Sequence, residues 1–308
     1  MVQSLVHVLL ATYNGAAHLP EQLESLAQQT GVQVKLYVSD DGSTDDTLMQ
    51  LGQFDAWPVE LLPPGPRLGA TGNFFRLMRW VADRVQADEW VAFCDQDDIW
   101  LPDKLQRAVS ALQGLDMHSP LAYAGRTLIV DPHNREWALS ALQQRAPGFA
   151  NALVQCMAGA NTLVFNARAL ELMLRPPLHE LSSHDWWCYL VVTACGGQYL
   201  YDPKPCLRYR QHVGNEVGFN QGWRAKWQRL LKLVDGQFGQ WTGQNQRALN
   251  ALAPLWTEST RACYAAFERA RSAPWVWQRL WAFWRSGVYR HSRVQTLALA
   301  LACALRRL

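Results

Sequence analysis

The chain has 308 residues, of which 49% are hydrophobic and 18% are charged, and its formal net charge at pH 7 is +3. This length and apolar content suit one large domain or two small ones built on a sizeable core. Seven cysteines form no Cys-x-x-Cys pair and show no ligand-like spacing to histidine, which argues against structural zinc and a disulfide framework and favours a reducing compartment.

Apolar runs and amphipathic stretches alternate along the first part of the chain. Residues 5–12 form a continuous apolar run, which is typical of a strand buried on both faces. Further strands are predicted at 34–39, 59–62 and 90–94, and helices at 18–29, 44–52, 70–85 and 102–112, with Pro102 in the first turn of the last. This order predicts an α/β fold with a doubly wound, mostly parallel sheet flanked by helices.

The second half adds strands and then becomes helical. Strands are predicted at 121–130, 162–165, 199–201 and 206–209, and a helix at 185–193. From about Trp223 the sequence is rich in tryptophan and arginine and has a helical texture. The change in composition near Asn220 predicts one domain at 1–219 and a C-terminal helical region at 220–308.

Three carboxylates follow directly after the apolar run 90–93. Asp95, Asp97 and Asp98 repel one another, and this crowding costs free energy unless a cation offsets it. Oxygen ligands at a strand end suit Mg²⁺ or Mn²⁺, and such an ion most often holds a phosphate. The cluster therefore predicts nucleotide chemistry, and a solvated loop of like charges is the alternative.

Two other polar segments, 13–15 and 40–47, also follow predicted strands. Ligands of open parallel sheets bind beyond the carboxyl ends of the strands, which favours one shared site. Asp40 and Asp41 can accept hydrogen bonds from a base or a ribose, whereas helix capping by Ser43 or Thr44 explains only the rest of that segment. For 13–15, a plain strand-to-helix connection is the alternative. No Gly-x-Gly-x-x-Gly fingerprint or Walker-type run is present, which argues against a nicotinamide cofactor.

Taken together, these segments resemble family 2 of the nucleotide-sugar glycosyltransferases, which have the GT-A fold. The matching motifs are Ala-Thr-Tyr-Asn-Gly at 11–15, Ser-Asp-Asp-Gly-Ser at 39–43, Asp-Gln-Asp-Asp-Ile-Trp at 95–100, Gly-Ala-Asn at 159–161, Ser-His-Asp-Trp-Trp at 183–187 and Tyr-Arg-Gln-His at 209–212. The set looks most like bacterial rhamnosyltransferase-type members that build cell-surface polysaccharides. The resemblance covers about residues 5–217.

The resemblance implies an inverting, metal-dependent hexosyltransferase. It would move a sugar, with rhamnose as a candidate, from a dTDP or UDP donor to a hydroxyl of a saccharide or lipid-linked saccharide. Asp185 corresponds to the catalytic base, for which a helix N-cap is the alternative, and Asp97 and His212 correspond to contacts with Mg²⁺ or Mn²⁺. Tyr13 would stack on the base. Donor-binding positions are implied at Ala11, Thr12, Tyr13, Asn14, Asp40, Asp41, Gly69, Asn73, Asp95, Gln96 and Arg210.

Other classes fit the sequence less well. A nucleotidyltransferase acting on sugar phosphates usually has a basic, glycine-rich loop after the first strand, where this chain has Tyr-Asn-Gly. A phosphatase with an aspartate nucleophile needs its Asp-x-Asp after the first strand. A non-catalytic saccharide-binding protein suits the many tryptophans, but it would tolerate loss of Asp97 and Asp185. A nucleic-acid partner is not expected, since the first 270 residues are mildly acidic.

The C-terminal end combines tryptophan with unbalanced positive charge. No Asp or Glu follows Glu268, and the last 38 residues carry seven arginines. Tryptophan and arginine together suit the interface of an anionic bilayer, and a helical bundle or a homodimer contact is the alternative. The apolar run 294–305 is too short to span a bilayer, and no signal peptide is expected at the first residues. We therefore expect a cytoplasmic enzyme, peripheral on the inner face of the membrane.

Overall fold

The computed structural model describes residues 3–177, 181, 183–211 and 237–308. Its strands are β1 Ser4–Thr12, β2 Val32–Asp40, β3 Val59–Leu61, β4 Trp90–Asp95, β5 Ile99–Trp100, β6 Leu121–Val130, β7 Glu136–Leu139, β8 Val164–Asn166 and β9 Gln198–Arg210. Its helices are α1 Leu19–Ala27, α2 Thr47–Gly52, α3 Gly69–Val81, α4 Lys104–Leu112, α5 Phe149–Ala152, α6 Ala167–Leu174, α7 His184–Ala194, α8 Gln237–Asn250, α9 Glu258–Ser272, α10 Val276–Ser286 and α11 Arg293–Ala304.

The described residues form two compact units. The first contains residues 3–142, 158–174 and 198–211, and the second contains 143–157, 175–177, 181, 183–197 and 237–308. The second unit thus takes two segments from the middle of the chain in addition to the C-terminal helices. The boundary predicted at 219/220 lies outside the described residues and stays a prediction.

The first unit is built on one mixed sheet in the order β3-β2-β1-β4-β8-β6-β9-β5, with β7 paired to β6. Strands β1, β2, β3 and β4 are mutually parallel, as are β6 and β9, while β8 runs antiparallel between β4 and β6. The predicted α/β class with a mostly parallel sheet is therefore confirmed. The antiparallel direction of β8 was not predicted, because hydrophobic periodicity does not show which way a strand runs.

Both faces of β1 are buried, which explains its continuous apolar run. Val6, Val8 and Leu10 belong to a cluster that includes apolar residues of α1 and α4. On the other face of the sheet, Phe93 of β4 meets Phe74 of α3 edge to face, with ring centroids 5.2 Å apart. Helices therefore cover both faces, as a doubly wound sheet requires.

Strand β9 corrects the prediction of two separate strands at 199–201 and 206–209. Two prolines, Pro203 and Pro205, lie between the predicted strands, and proline cannot donate to a strand ladder. Here β9 instead runs from Gln198 to Arg210, and its register with β6 shifts around Arg126. The shift in register accommodates the two prolines, so the strand continues through them.

Two predicted helix starts are wrong by a few residues. Helix α4 begins at Lys104 after the N-cap residue Asp103, so Pro102 lies just outside it. Helix α2 begins at Thr47 after Asp46, so neither Ser43 nor Thr44 caps it. The strand β5 and the elements β7, α5 and α6 had no periodic signal long enough to be predicted.

The second unit is helical in its described residues. Trp256 packs against Phe149 and Tyr264, with ring centroids 6.5 and 4.7 Å away. Asn151 Nδ2 donates to the Tyr289 carbonyl at 2.9 Å, and Thr260 Oγ1 donates to a carbonyl of α7 at 3.0 Å. Within the described chain, no helix has the length and apolar content that crossing a membrane requires.

Arg279 joins two helices of this unit. Its buried guanidinium donates to the carbonyls of Ala273 and Pro274, before α10, and to those of Cys303 and Ala304, at the end of α11. The last carbonyls of a helix have no partner within the helix, so a cation there satisfies them and also favours the dipole. One side chain therefore holds the start of α10 against the end of α11.

Candidate active site

Strand pairing brings the predicted polar segments to one edge of the sheet. In the parallel register of β1 with its neighbours, Thr12 lies opposite Asp40 and Ala11 lies opposite Asp95. The loops that follow β1, β2 and β4 therefore begin side by side, as expected for ligand-binding loops beyond the carboxyl ends of parallel strands.

The loops after β1 and β2 are joined by hydrogen bonds centred on Asn14. The Asn14 backbone N–H donates to Ser43 Oγ at 2.8 Å, and Asn14 Oδ1 accepts from the Thr44 N–H at 2.8 Å. The next residue, Gly15, donates its N–H to Thr47 Oγ1 at 2.9 Å. Asn14 has a φ of 46°, in the left-handed region that asparagine tolerates better than most residues. Asn14 thus builds the shape of the loop.

Asp40 has a similar role at the end of β2. Its Oδ1 accepts from Thr12 Oγ1 at 2.8 Å and from Ser43 Oγ at 2.5 Å, and its Oδ2 accepts from the backbone N–H groups of Gly42 and Ser43. The carboxylate therefore closes the turn 40–43. This arrangement also explains Ser43, whose hydroxyl serves Asp40 and Asn14 instead of capping a helix.

Asp41 connects β2 to the start of α3. Its buried carboxylate accepts the N–H groups of Leu68 and Gly69 at 2.7 and 2.8 Å. Gly69 has a φ of 69°, which strains any residue with a side chain. One turn later, Asn73 Nδ2 donates to the Ser39 carbonyl at 2.7 Å, while its buried Oδ1 accepts no hydrogen bond within the described chain. Asp41, Gly69 and Asn73, which are predicted to bind the donor, thus lie together at the junction of β2 and α3.

The Gln96 side chain holds the backbone of Tyr13 through two hydrogen bonds. The Tyr13 N–H donates to Gln96 Oε1 at 2.9 Å, and the Tyr13 carbonyl accepts from Gln96 Nε2 at 3.0 Å. A Cβ on Gly15 would lie 2.2 Å from Gln96 Oε1, so this exchange requires glycine at that position. The Arg67 guanidinium lies 4.0 Å from the centroid of the Tyr13 ring. Nothing in the sequence pairs Arg67 with Tyr13, because the two residues are far apart along the chain.

The acidic segment after β4 divides into two kinds of carboxylate. Asp95 and Asp97 are half-buried, whereas Asp98 is fully buried and accepts from Asn161 Nδ2 at 2.5 Å. Burial, reinforced by the charges of Asp97 and Asp95, raises the pKa of Asp98 well above its usual range. Asp98 therefore belongs to the protein interior, and of the three carboxylates only Asp95 and Asp97 are partly exposed after β4.

A buried lysine lies beneath this segment. Lys104 Nζ donates to the Asn161 carbonyl at 2.8 Å and lies 2.9 Å from the centroid of the Trp100 ring. Burial lowers the pKa of Lys104 to about 8, while nearby acidic groups, including Asp98, oppose that shift. The motif Gly-Ala-Asn at 159–161 therefore acts by placing Asn161 between Asp98 and Lys104.

Asp95 and Asp97 suit a metal ion whose other ligands come from substrate phosphates and water. Asp95 and Asp97 offer hard carboxylate oxygens at the strand end, and no group of three His, Cys, Asp or Glu side chains able to hold an ion occurs in the described residues. Mg²⁺ is commonly held by one or two carboxylates together with substrate phosphates and water. The chemistry of the donor set thus fits the predicted divalent cation. His212, predicted as a second contact, lies outside the described residues.

Arg210 supports the backbone of this segment. Its buried guanidinium donates to Glu21 Oε2 at 2.6 Å, to the Pro132 carbonyl at 2.8 Å and to the Asp97 carbonyl at 3.3 Å. The structure therefore gives Arg210 a role in positioning the loop that carries Asp97. The predicted contact of Arg210 with a diphosphate stays a prediction.

Asp185 belongs to the second unit and lies in the first turn of α7. It is half-buried, and its Oδ1 accepts from the Trp186 N–H at 2.7 Å. The N-cap residue of α7 is Ser183, so Asp185 is not the N-cap. Next to it, burial lowers the pKa of His184 to about 4, so this imidazole is neutral at pH 7. Trp186 Nε1 donates to the Ala152 carbonyl at 2.6 Å and fixes the indole beside this turn.

Replacing Lys104 by methionine is expected to lower the free energy of unfolding by about 2 kcal/mol, because it removes the buried hydrogen bond from Lys104 Nζ to the Asn161 carbonyl. The double variant Lys104→Met/Asp98→Asn should lose less than the sum of the two single changes, since both side chains bind the same residue, Asn161. Guanidinium denaturation of the three variants measures both effects. Lys204→Met, on an exposed lysine, should stay within about 0.5 kcal/mol of the parent chain. Additive single effects would show that Lys104 and Asp98 are not coupled through Asn161.

The chain is similar in sequence to known glycosyltransferases. Residues 7–156 match the family described as Glycosyl transferase family 2. The dTDP-rhamnosyl transferase RfbG of Shigella flexneri is 29% identical over 230 residues, which cover 72% of this chain and 78% of that protein.

Two solved structures share the fold at low sequence identity. The mannosyltransferase PcManGT from Pyrobaculum calidifontis, in complex with GDP-Man and Mn²⁺, has a TM-score of 0.53 at 18% identity and covers 98% of this chain and 87% of its own. S. aureus TarS 1–349, in complex with UDP-GlcNAc, has a TM-score of 0.52 at 16% identity, covering 90% of this chain and 79% of its own. At these identities the likeness shows the GT-A fold of glycosyltransferases.

Proposed function

We propose that this chain, whose residues 7–156 match glycosyl transferase family 2, transfers a sugar from a nucleoside-diphosphate donor to a hydroxyl of a saccharide or lipid-linked saccharide, with inversion at the anomeric carbon. One observation supports this best: the segments after β1, β2 and β4 meet at one edge of the sheet, and there Asp95 and Asp97 keep partly exposed carboxylates while Asp98 is withdrawn. The family match favours sugar transfer over the nucleotidyltransferase and saccharide-binding alternatives.

The donor base would bind at the loops after β1 and β2. Tyr13 offers an aromatic ring whose backbone is held by Gln96, so stacking would not require the loop to reorganise. Arg67, on that ring, adds a cation beside the place proposed for the donor. Asp41 and Asn73, both buried at the junction of β2 and α3, would shape the wall of this pocket. dTDP-rhamnose is the first donor to test, because the relative from Shigella flexneri is named for it.

Asp97, with Asp95 beside it, would hold a divalent cation, Mg²⁺ or Mn²⁺. When bound, such a cation neutralises charge that develops on the departing diphosphate. Arg210 supports this arrangement through the Asp97 carbonyl, and the Lys104–Asn161–Asp98 contacts anchor the next residue along the chain. Two carboxylates thereby stay partly exposed while the third is buried.

Asp185 would act as the general base. As the acceptor oxygen attacks the anomeric carbon, the Asp185 carboxylate takes its proton, and the nucleoside diphosphate leaves from the opposite face. A single displacement of this kind inverts the anomeric centre and needs no enzyme nucleophile. Support comes from the match of Ser183-His184-Asp185-Trp186-Trp187 to the family motif and from the half-buried place of Asp185 in the first turn of α7.

A screen of activated sugars tests the proposal. The chain is incubated with dTDP-rhamnose, UDP-glucose, UDP-GlcNAc or GDP-mannose and a mixture of saccharide and lipid-linked acceptors, with Mn²⁺ or Mg²⁺, and release of free nucleoside diphosphate is measured. We expect one donor to exceed the others, with release abolished by EDTA and restored by added metal. NMR of the product should show the inverted anomer. Release that is indifferent to EDTA, or a retained anomer, would overturn the proposed mechanism.

A further inference from the structure

Helix α10 presents an aromatic stripe to solvent. Trp277, Trp281 and Trp284 recur at the spacing of one helix face, and each is more than half exposed. Ala282 and Phe283 are buried on the other side of the helix. The tryptophans are therefore not the core of this helix, and a stripe of three large exposed indoles is unusual on a protein surface.

Helix α11 carries a second exposed apolar stripe. Val294, Leu297 and Leu301 follow the same helical spacing, and each is more than half exposed. The two stripes meet at a cleft of about 380 Å³, because Trp284 of α10 and Leu297 of α11 both line it. The two exposed stripes therefore border one open cleft.

The cleft also contains positive charge. Arg145 and Arg293 line it, and the Arg145 guanidinium lies 4.6 Å from the centroid of the Tyr289 ring, which lines it too. Guanidinium groups pair well with phosphate oxygens, and an apolar wall beside them suits the glycerol and upper acyl carbons of a lipid. The cleft thus matches a molecule with an anionic head and an apolar body.

Two arginines lie beside Trp281, the middle tryptophan of the stripe. The guanidiniums of Arg269 and Arg285 lie 5.8 and 5.1 Å from the centroid of the Trp281 ring. No Asp or Glu follows Glu268 along the chain, so no acidic side chain of this segment balances them. A second copy of the chain is a poor partner, since a symmetric contact sets each patch against itself and brings arginines together.

We propose that this surface, formed by α10, α11 and the cleft between them, docks on a bilayer that contains anionic phospholipid. The tryptophan rings lie at the level of the headgroups, and Arg145 and Arg293 hold a headgroup phosphate in the cleft. Indoles favour this interface, and arginines near it are attracted to anionic lipid. The inference is independent of the sugar donor and of the reaction.

Vesicle binding tests the proposal with the full chain. Vesicles of phosphatidylcholine alone or with half phosphatidylglycerol are mixed with the protein and floated on a density gradient. We expect flotation only with phosphatidylglycerol, reduced by salt, and quenching of tryptophan fluorescence by brominated acyl chains. Inorganic phosphate should compete no better than chloride of equal ionic strength, which separates a bilayer headgroup from free phosphate.

Variants assign the binding to this surface. Trp277→Gln/Trp281→Gln should reduce partitioning at least about tenfold, and Arg145→Gln/Arg293→Gln about 20-fold with anionic vesicles. Trp137→Gln removes an equally exposed tryptophan from β7 in the first unit and should change nothing. Circular dichroism checks that each variant is folded.

Three results would overturn the proposal. The first is no binding to anionic vesicles, and the second is an equal loss with Trp137→Gln. The third is a stable dimer in sedimentation velocity that Trp277→Gln/Trp281→Gln dissociates, because a second copy would then occupy the surface.

Discussion

Replacing Asp185 by asparagine is expected to lower kcat by about 10³-fold while binding of the nucleotide with metal stays unchanged. Asparagine has the size of aspartate, but its amide cannot take the proton of the acceptor hydroxyl, and general base catalysis contributes roughly 10²–10⁴-fold. Single-turnover rates with saturating donor and acceptor measure the effect, and titration calorimetry with nucleoside diphosphate and Mn²⁺ measures binding.

The control for Asp185 is Glu258→Gln. Glu258 is the acidic residue in the first turn of α9, in the same unit, so its loss has a comparable effect on a helix dipole without removing the proposed base. We expect the Glu258 variant to keep full turnover. If Asp185→Asn retains turnover, or if both variants lose it equally, Asp185 is not the base.

Replacing Asp97 by asparagine is expected to weaken metal-dependent binding of the donor nucleotide at least about 100-fold. The amide is a poorer ligand than a carboxylate for a hard cation and supplies no charge to it. Calorimetry with the nucleoside diphosphate, in Mn²⁺ and again in EDTA, separates the metal-dependent part. The variant should bind in Mn²⁺ as weakly as the parent chain binds in EDTA.

Asp103→Asn provides the matched control for Asp97. Asp103 lies in the same segment but has an exposed side chain whose contact is an ion pair with Arg107 at 3.6 Å, before α4. Binding by this variant should equal that of the parent chain. A parent chain that binds nucleotide equally well in Mn²⁺ and EDTA would contradict the role proposed for Asp97.

The sequence pattern predicted the strands around the site and the residues at their ends. Apolar runs predicted β1 and β4, with β2 predicted between them, and the polar segments after these strands predicted which residues follow the sheet edge. Parallel pairing then places Ala11 opposite Asp95 and Thr12 opposite Asp40, as the fold class requires. This part was predictable because burial of both faces of a strand leaves a direct record in its composition.

The individual roles of the site residues were less predictable. Asp98 is indistinguishable from Asp97 in the sequence, yet it is buried against Asn161, which lies 63 positions away. The contact of Arg210 with a diphosphate stays a prediction, and nothing in the sequence indicated that its guanidinium also donates to Glu21 and to the Asp97 carbonyl. Periodicity reports whether a position is buried by its own element, but it does not report which distant side chain completes a hydrogen bond.

In the C-terminal helices, too, composition predicted the type of segment but not the position of each side chain. Composition alone identified a segment rich in tryptophan and arginine without acidic residues after Glu268. Only packing decided that Arg279 turns inward to four carbonyls while Trp277 and Trp281 remain in solvent. The sequence by itself therefore determined the class of fold, the edge where the chemistry lies and the charge of each region. The tertiary structure decided which charges are buried, because that depends on partners brought together only when the chain folds.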